Sequence, residues 1–99
     1  MREILSIKHS QDYAYSFLFW RSDNAGYTYH IEDAGQYEEV IADYHDSEDS
    51  IPINQSILDK LEKTTAYNDF GEPITCVLNN SKNRKVLNLE YFERKLKRL

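Results

Sequence analysis

The sequence is poor in the residues that mark several large classes of protein. It has one cysteine, three glycines and two prolines among its 99 residues. A lone cysteine cannot form an internal disulfide, which excludes a disulfide-stapled domain and favours a reducing compartment. Three scattered glycines cannot build a glycine-rich loop for a nucleotide phosphate. The single thiol, Cys76, lies in an apolar run, so we expect it to be packed rather than reactive.

Long apolar segments are missing as well. No run approaches the roughly 20 residues that cross a bilayer, and the first residues lack the apolar core of a secretory signal. We therefore expect a cytoplasmic protein with no membrane partner. Apolar residues make up 40% of the chain and aromatic residues 13%, which is enough to bury a core. The length predicts a single domain over residues 1–99.

Positive charge is absent from the middle of the chain. Between Arg21 and Lys60 there is no lysine or arginine, although the same stretch holds ten acidic residues. From Lys82 to the end, the formal charge is +5, whereas the whole chain carries −5. The overall balance argues against direct nucleic-acid binding, which needs surplus bases for phosphate contacts. The acidic stretch is either a solvated loop or a surface for a positively charged partner, and part of it can be neutralised internally by a basic last helix.

Aromatic and β-branched runs predict the strands. Residues 13–20 read Tyr-Ala-Tyr-Ser-Phe-Leu-Phe-Trp and predict a central strand. The turn-forming residues 22–26 follow, and residues 27–30 resume the β pattern, which predicts a hairpin. Residues 73–78 predict another strand. Residues 64–71 read as a connection.

Three segments have the spacing of helices. Tyr37, Val40, Ile41 and Tyr44 stand at i, i+3, i+4 and i+7, which predicts a short amphipathic helix followed by an exposed loop at residues 45–50. Asn54 is a candidate N-cap for a helix over residues 55–64, with Ile53 and Leu58 as a hydrophobic staple. After a polar turn at residues 79–85, Asn88 is the candidate cap of a last helix. Its packed stripe is formed by Leu89, Phe92, Leu96 and Leu99.

Together these segments predict an α+β fold. We expect a small, mainly antiparallel sheet of three to four strands, packed against two main helices and one short helix.

No pattern in the chain indicates catalysis. The histidines, His9, His30 and His45, have no metal-ligand spacing with one another or with Cys76. No nucleophile lies on a Gly-x-Ser-x-Gly turn. The acids after His45 lack the order of a calcium-binding loop. We therefore expect no catalytic residue, no metal and no cofactor.

One segment resembles a known pattern. Trp20, Asn24 and Gly26-Tyr27-Thr28, followed by Ala34-Gly35 and Tyr37, resemble a recurrent motif of small bacteriophage and mobile-element proteins, as does the apolar Ile51-Pro52-Ile53 downstream. That family has no established activity, so the resemblance implies a genomic context and assigns no catalytic residue. Gly26 and Gly35 have a structural interpretation, as a turn residue and as a hinge.

Two functions are favoured over the remaining possibilities, which are an enzyme and a structural or homo-oligomeric accessory protein. The first is a non-enzymatic inhibitor whose acidic surface mimics nucleic-acid phosphates and occupies the basic groove of a host nuclease or CRISPR-like defence protein. The residues of this acidic surface are Glu32, Asp33, Glu38, Glu39, Asp43, Asp46, Glu48 and Asp49. The alternative is a module that binds a nucleotide-like or anionic ligand in an aromatic pocket. That pocket would be framed by Trp20, Arg21, Tyr27 and Tyr29.

Overall fold

A four-stranded antiparallel sheet organises the N-terminal half of the chain. The computed structural model describes residues 1–11 and 14–99. The strands are β1 (Glu3–Ser6), β2 (Leu18–Trp20), β3 (Tyr27–Thr28) and β4 (Ser50–Ile53). Their order is β3-β2-β1-β4, so the first strand lies in the middle of the sheet.

The register places the apolar side chains of this sheet on both faces. Leu5 lies opposite Phe19 on one side and Ile51 on the other, and the three side chains are buried on one face. Because side chains alternate along a strand, Ile4 and Trp20 lie on the second face. Both are buried too, so each face of the sheet packs against another part of the chain.

The C-terminal half adds two hairpins and two short helices. One hairpin joins β5 (Lys63–Tyr67) to β6 (Pro73–Val77), and the other joins β7 (Leu89–Phe92) to β8 (Lys95–Arg98). The helices are α1 (Gln55–Leu58) and α2 (Ser81–Val86). Apolar residues from these elements and from the loops between them cover the first face of the sheet and form the core with it. They are Leu58, Leu61, Val77, Leu87, Leu89 and Leu96.

The coarse expectation of a small α+β fold with mainly antiparallel strands is confirmed. The strands are divided among three sheets, of four, two and two strands, and both helices are short. The predicted hairpin is confirmed, because Trp20 pairs with Tyr27 across a turn in which Gly26 has φ +99°. Cys76 is buried, as expected. No helix in the described part of the chain has the length and apolarity to cross a membrane.

The predicted helix at residues 37–44 is wrong. The segment has bends, turns and residues of two isolated bridges instead, and Asp43 has φ +67°, which a helix does not allow. Ile41 is 54% exposed, so the apolar spacing there does not mark a buried stripe.

The predicted helix at residues 55–64 is correct only at its start. The Asn54 side chain accepts a hydrogen bond from the Ile57 backbone N–H, as an N-cap does. The helix ends at Leu58, and residues 63–67, predicted to be part helix and part connection, form β5 instead. Strand β6 confirms the predicted strand at residues 73–78.

The predicted last helix is also wrong. The helix α2, which precedes that segment, was not predicted from the sequence. Residues 89–98 form the β7–β8 hairpin, so Leu89 and Leu96 are buried while Phe92 and Leu99 are largely exposed. The polar turn predicted at residues 79–85 is helix α2, capped by the Asn80 side chain. The predicted central strand is limited to Leu18–Trp20, and its first residue, Tyr13, lies outside the described residues.

Candidate partner-binding surface

The acidic residues lie on an irregular segment, residues 31–49, that is bonded to the sheet at several places. The Gly35 backbone N–H donates to the Trp20 carbonyl at 2.8 Å. Arg2 and Tyr37 exchange two backbone hydrogen bonds, of 3.0 and 2.8 Å. At its far end, the Asp49 carbonyl accepts from the Ile7 backbone N–H at 2.8 Å. Apart from a 3-10 turn at Ile31–Asp33, the segment forms no helix or strand, and these bonds fix its course across the sheet.

Gly35 is required by space rather than by its own dihedral angles. A Cβ built on Gly35 would lie 2.6 Å from the backbone nitrogen and 2.7 Å from the Cα of Ser22. Real Cβ atoms do not approach backbone so closely. The segment therefore passes directly against the β2–β3 turn, which only a glycine permits.

A cluster of rings attaches the segment to the second face of the sheet. We call it the aromatic cluster: Trp20, Tyr27, Tyr37, Tyr44 and His45. The indole of Trp20 is 8% exposed and meets both Tyr44 and His45 edge-on, with ring centroids 5.2 Å apart. Tyr27 meets the same indole edge-on at 5.8 Å. Such ring pairs stabilise by about 0.5–1.5 kcal/mol each beyond the area they bury.

His45 ties the segment to the β2–β3 turn. The side chain is 2% exposed. Its Nδ1 accepts the Ile41 backbone N–H at 3.0 Å, which leaves Nε2 as the protonated nitrogen that donates to Asn24 Oδ1 at 2.9 Å. Tyr37 adds a second tie, since its hydroxyl accepts from the Asn24 backbone N–H and donates to the Arg21 carbonyl.

The pKa of Tyr27 is raised above its usual value. Partial burial of the phenol is the larger cause, and the nearby Tyr44 phenol, once ionised, raises the pKa further. The hydroxyl therefore stays neutral throughout the physiological range, and Tyr27 contributes no negative charge to this surface.

All eight residues of the acidic surface are exposed. Two of them have partners: Glu32 lies 3.5 Å from His30 Nε2, and Asp46 lies 2.5 Å from Arg98 Nη1. Among the described residues, no base forms an ion pair with the other six. Those six are Asp33, Glu38, Glu39, Asp43, Glu48 and Asp49.

The basic C-terminal segment neutralises only one end of the acidic surface. The expectation that it crosses the acidic stretch as a helix is wrong, because it forms strand β8 of a hairpin. Its contact is local, since Arg98 binds Asp46 and donates to the Ser47 carbonyl at 3.0 Å. A cleft of about 780 Å³ lies beside this contact, where Lys8 and β8 face Glu48 and Asp49.

The four residues of the alternative ligand pocket do not line that cleft. Trp20 is buried in the aromatic cluster. Arg21 is exposed, and its Nε donates to the Tyr27 carbonyl at 3.3 Å, along the hairpin. Tyr29 is 46% exposed. Trp20 is thus not an open platform for a ligand.

Sequence reasoning missed the side chains that position the acidic surface. The sequence pattern predicts a polar loop at His45, and it predicts that Tyr37 and Tyr44 lie on one stripe of a helix. A histidine between acids gives no local signal of burial, and its partner Asn24 comes from elsewhere in the chain. Within residues 1–11 and 14–99, no three histidine, cysteine or acidic side chains come together as a metal site would require.

Comparison with protein-family models, with curated proteins and with solved structures finds no match to this chain.

Proposed function

We propose that the chain is a non-enzymatic, phage-type inhibitor that binds a host nucleic-acid-processing or defence protein, of the nuclease or CRISPR-effector kind, through its acidic surface. Six exposed carboxylates without an ion-pair partner among the described residues are the observation that carries this proposal. A surface with uncompensated charge of one sign attracts a surface of the opposite sign and orients the encounter. A groove that binds nucleic acid is lined by lysine and arginine, which is the complementary chemistry.

The anchoring of the segment supports binding rather than mere solubility. Repulsion among neighbouring carboxylates lowers stability, and a solvated loop would relieve it by moving apart. Residues 31–49 are instead held by backbone bonds to β2 and to the residues on either side of β1, and by the buried His45 and Trp20. A surface that is held before binding loses less conformational entropy when a partner docks.

The interaction is expected to occur in the host cytoplasm and to need neither metal nor cofactor. Binding in the nucleic-acid groove would inhibit by occupying the site of the substrate. Because exposed charges are screened within about 8 Å at physiological ionic strength, the complex should weaken as salt is raised.

A capture experiment with two charge-reversed variants tests the proposal. The tagged protein is incubated with host lysate at moderate salt, and retained proteins are identified. Glu38→Lys with Glu39→Lys changes the acidic surface, at two exposed residues without ion pairs to described residues. Asp59→Lys with Asp69→Lys changes two exposed acids elsewhere. Each reversal adds two units of charge, so both variants carry a formal −1 instead of −5.

We expect the wild type and the Asp59/Asp69 variant to retain the same nucleic-acid-binding protein, and the Glu38/Glu39 variant to lose most of it. Added duplex DNA should compete with capture, and the captured protein should lose its nucleic-acid activity in the presence of the wild-type chain. Equal capture by both variants, or no specific capture at all, would show that the acidic surface is not a binding site. In that case a thermal-shift panel of nucleotides tests the alternative ligand module.

A further inference from the structure

The outer edge of β5 is left without hydrogen-bond partners among the described residues. In the β5–β6 hairpin, the Asn68 N–H donates to the Glu72 carbonyl at 3.0 Å and the Leu78 N–H donates to the Glu62 carbonyl at 3.1 Å. These two bonds set the phase of the antiparallel ladder, in which alternate residues bond to the partner strand. Even-numbered residues of β5 therefore bond to β6. The backbone groups of Lys63, Thr65 and Tyr67 point away from it.

No residue in the described ranges bonds to those outward-facing backbone groups. All three residues are exposed, with Tyr67 at 70%. The chain is thus open along the outer side of β5.

Other strand edges in the molecule are capped by the chain itself. At β6, the Thr75 N–H donates to His30 Nδ1 at 3.0 Å, and the Val77 carbonyl accepts from the Phe17 N–H at 2.9 Å. At β8, the Gln11 side chain bonds both the N–H and the carbonyl of Leu96, at 2.7 and 3.0 Å. The open edge of β5 is therefore not a general feature of these hairpins.

Strand β5 carries little of the protection that is usual for an edge strand. Natural edge strands carry a proline, charged side chains such as lysine, a bulge or a covering loop, because an exposed row of N–H and C=O groups pairs readily with another strand. β5 has five residues, no proline and unbroken pairing to β6. Its one charged residue is Lys63, whose ammonium donates to the Leu58 and Leu61 carbonyls. The hydrogen-bonding chemistry of this edge selects an extended strand as its partner.

We propose that the partner is a second copy of this chain, paired antiparallel through β5 about a two-fold axis at Thr65. In this register Thr65 faces Thr65 of the second copy, and Lys63 faces Tyr67. It is the register in which all three outward residues meet one another, with about six hydrogen bonds between the strands. Threonine pairs are favourable across strands, and no like charges meet within β5. The Lys63 ammonium donates to the Leu58 and Leu61 carbonyls of its own chain, at 2.7 and 3.0 Å, so the backbone bonds and the threonine pair carry the register.

Shifted registers lose these pairs. Sliding by two residues in one direction places Lys63 against Thr65 and leaves Tyr67 beyond the opposing strand. Sliding in the other direction places Lys63 against Asp69, outside β5. The Thr65-centred register also brings the hairpin tip, where Phe70 is 87% exposed, level with Lys60 of the second copy. The product is a continuous four-stranded sheet in the order β6-β5-β5-β6.

Sedimentation velocity on the full chain, over a series of concentrations, tests the proposal. The wild type should show a dimer that grows with concentration. Thr65→Pro removes the outward N–H at the two-fold axis while leaving the β6 side of the ladder intact, so it should remain monomeric. Thr65→Val keeps that N–H and should still dimerise. Far-UV circular dichroism reports whether the proline variant is folded.

Cysteine cross-linking tests the register without relying on the proline variant. Under mild oxidation, Thr65→Cys should form a disulfide-linked dimer, because the two residues face each other across the axis. Lys63→Cys should not, because its two copies are separated by four residues, roughly 13 Å along the strand. The wild type, whose only thiol is buried, is the baseline. A wild-type chain that stays monomeric at every concentration overturns the proposal, as does a dimer that Thr65→Cys fails to trap.

Discussion

At the residue scale, Gly35 decides how closely the acidic segment approaches the sheet. A methyl group added there would meet the Ser22 backbone at 2.6 Å, so the segment or the β2–β3 turn must move. We expect Gly35→Ala to lower the free energy of unfolding by about 1–3 kcal/mol, the usual cost of forcing extra volume into a tight contact. Urea denaturation measures the change.

Glu39→Ala is the matched control, since it alters an exposed residue of the same segment that has no ion pair with the described residues, and it should leave the midpoint nearly unchanged. In Gly35→Ala the NMR resonances of Asn24 and His45 should also shift, since their mutual hydrogen bond spans the contact. A Gly35→Ala variant with the wild-type midpoint and spectrum would mean that the segment does not press against the turn.

Tyr27 gives a pH prediction at the same scale. Its pKa is raised in the folded protein, so the folded state holds the phenolic proton more tightly than the unfolded chain does. The resulting contribution to stability is complete below the ordinary tyrosine pKa of about 10, and it is lost as the pH rises through the folded pKa. A pH titration of the Tyr27 ring by NMR measures that pKa.

Tyr44→Phe separates the two causes of the shift. It removes the phenolate that opposes ionisation of Tyr27, while partial burial, the larger cause, remains. We expect the Tyr27 pKa to fall part of the way toward its ordinary value in this variant, whereas Tyr29→Phe should not move it. A Tyr27 pKa that is the same in Tyr44→Phe as in the wild type would contradict the assigned contribution of Tyr44.

At the scale of elements, the β7–β8 hairpin carries strain in its turn. The two loop residues, Glu93 and Arg94, have φ +50° and +69°, as a type I′ turn requires, although Asn-Gly is the favoured pair there. Replacing them with Asn and Gly should raise the free energy of unfolding by about 1 kcal/mol. Urea midpoints measure the gain.

Lys97→Gly is the control for this prediction, because it places a glycine in β8, where the strand conformation gives it no advantage. It should destabilise the protein. If the Asn-Gly turn also destabilised it, the positive dihedral angles of Glu93 and Arg94 would not be the source of strain.

The signals that locate elements correctly are local ones. Asn54 caps a helix as its sequence indicates, and the Trp20–Tyr27 hairpin follows from its turn residues. Apolar spacing misleads where it is short. The stripe after Asn88 fits a helix period, but only Leu89 and Leu96 are buried, from opposite strands of a hairpin.

At the scale of the whole molecule, the N-terminal sheet and the last hairpin contribute to one hydrophobic core, whereas the acidic and basic segments make little contact. Leu5 and Phe19 from the N-terminal sheet pack in the same cluster as Leu89 and Leu96 from the last hairpin. The acidic and basic segments, by contrast, meet within the described residues at one ion pair, Asp46 with Arg98. Exposed pairs of this kind contribute about 0–1 kcal/mol, so the stability of the fold comes from the apolar core rather than from pairing between the two charged segments. Most carboxylates of the acidic surface have no ion pair with described residues.

The two proposed interactions are separable because they use different chemistry. The acidic surface depends on exposed carboxylates such as Glu38, and its binding should weaken with salt. The β5 edge depends on backbone hydrogen bonds and should be abolished by a proline at Thr65 while tolerating salt. If the wild-type chain is monomeric and still captures a nucleic-acid-binding protein, the result supports binding through the acidic surface and overturns dimerisation through β5.

The sequence by itself determined the α+β class, the β2–β3 hairpin, the Asn54 cap, the buried Cys76 and the stretch without positive charge. Each of these depends on composition or on residues close together in the chain, where turn propensity, capping and hydrophobicity act directly. The order of charges along the chain is therefore enough to identify the acidic residues.

Tertiary structure alone decided how those acids are presented. His45 is buried because Asn24 and Trp20 come from a different part of the sheet, and Gly35 is required because Ser22 lies against it. Likewise His30 caps the outer edge of β6, whereas no described residue bonds to the outward backbone groups of β5. Contacts between residues distant in sequence leave no local pattern, since their energy comes from packing and from which backbone groups remain unpaired after the chain has folded.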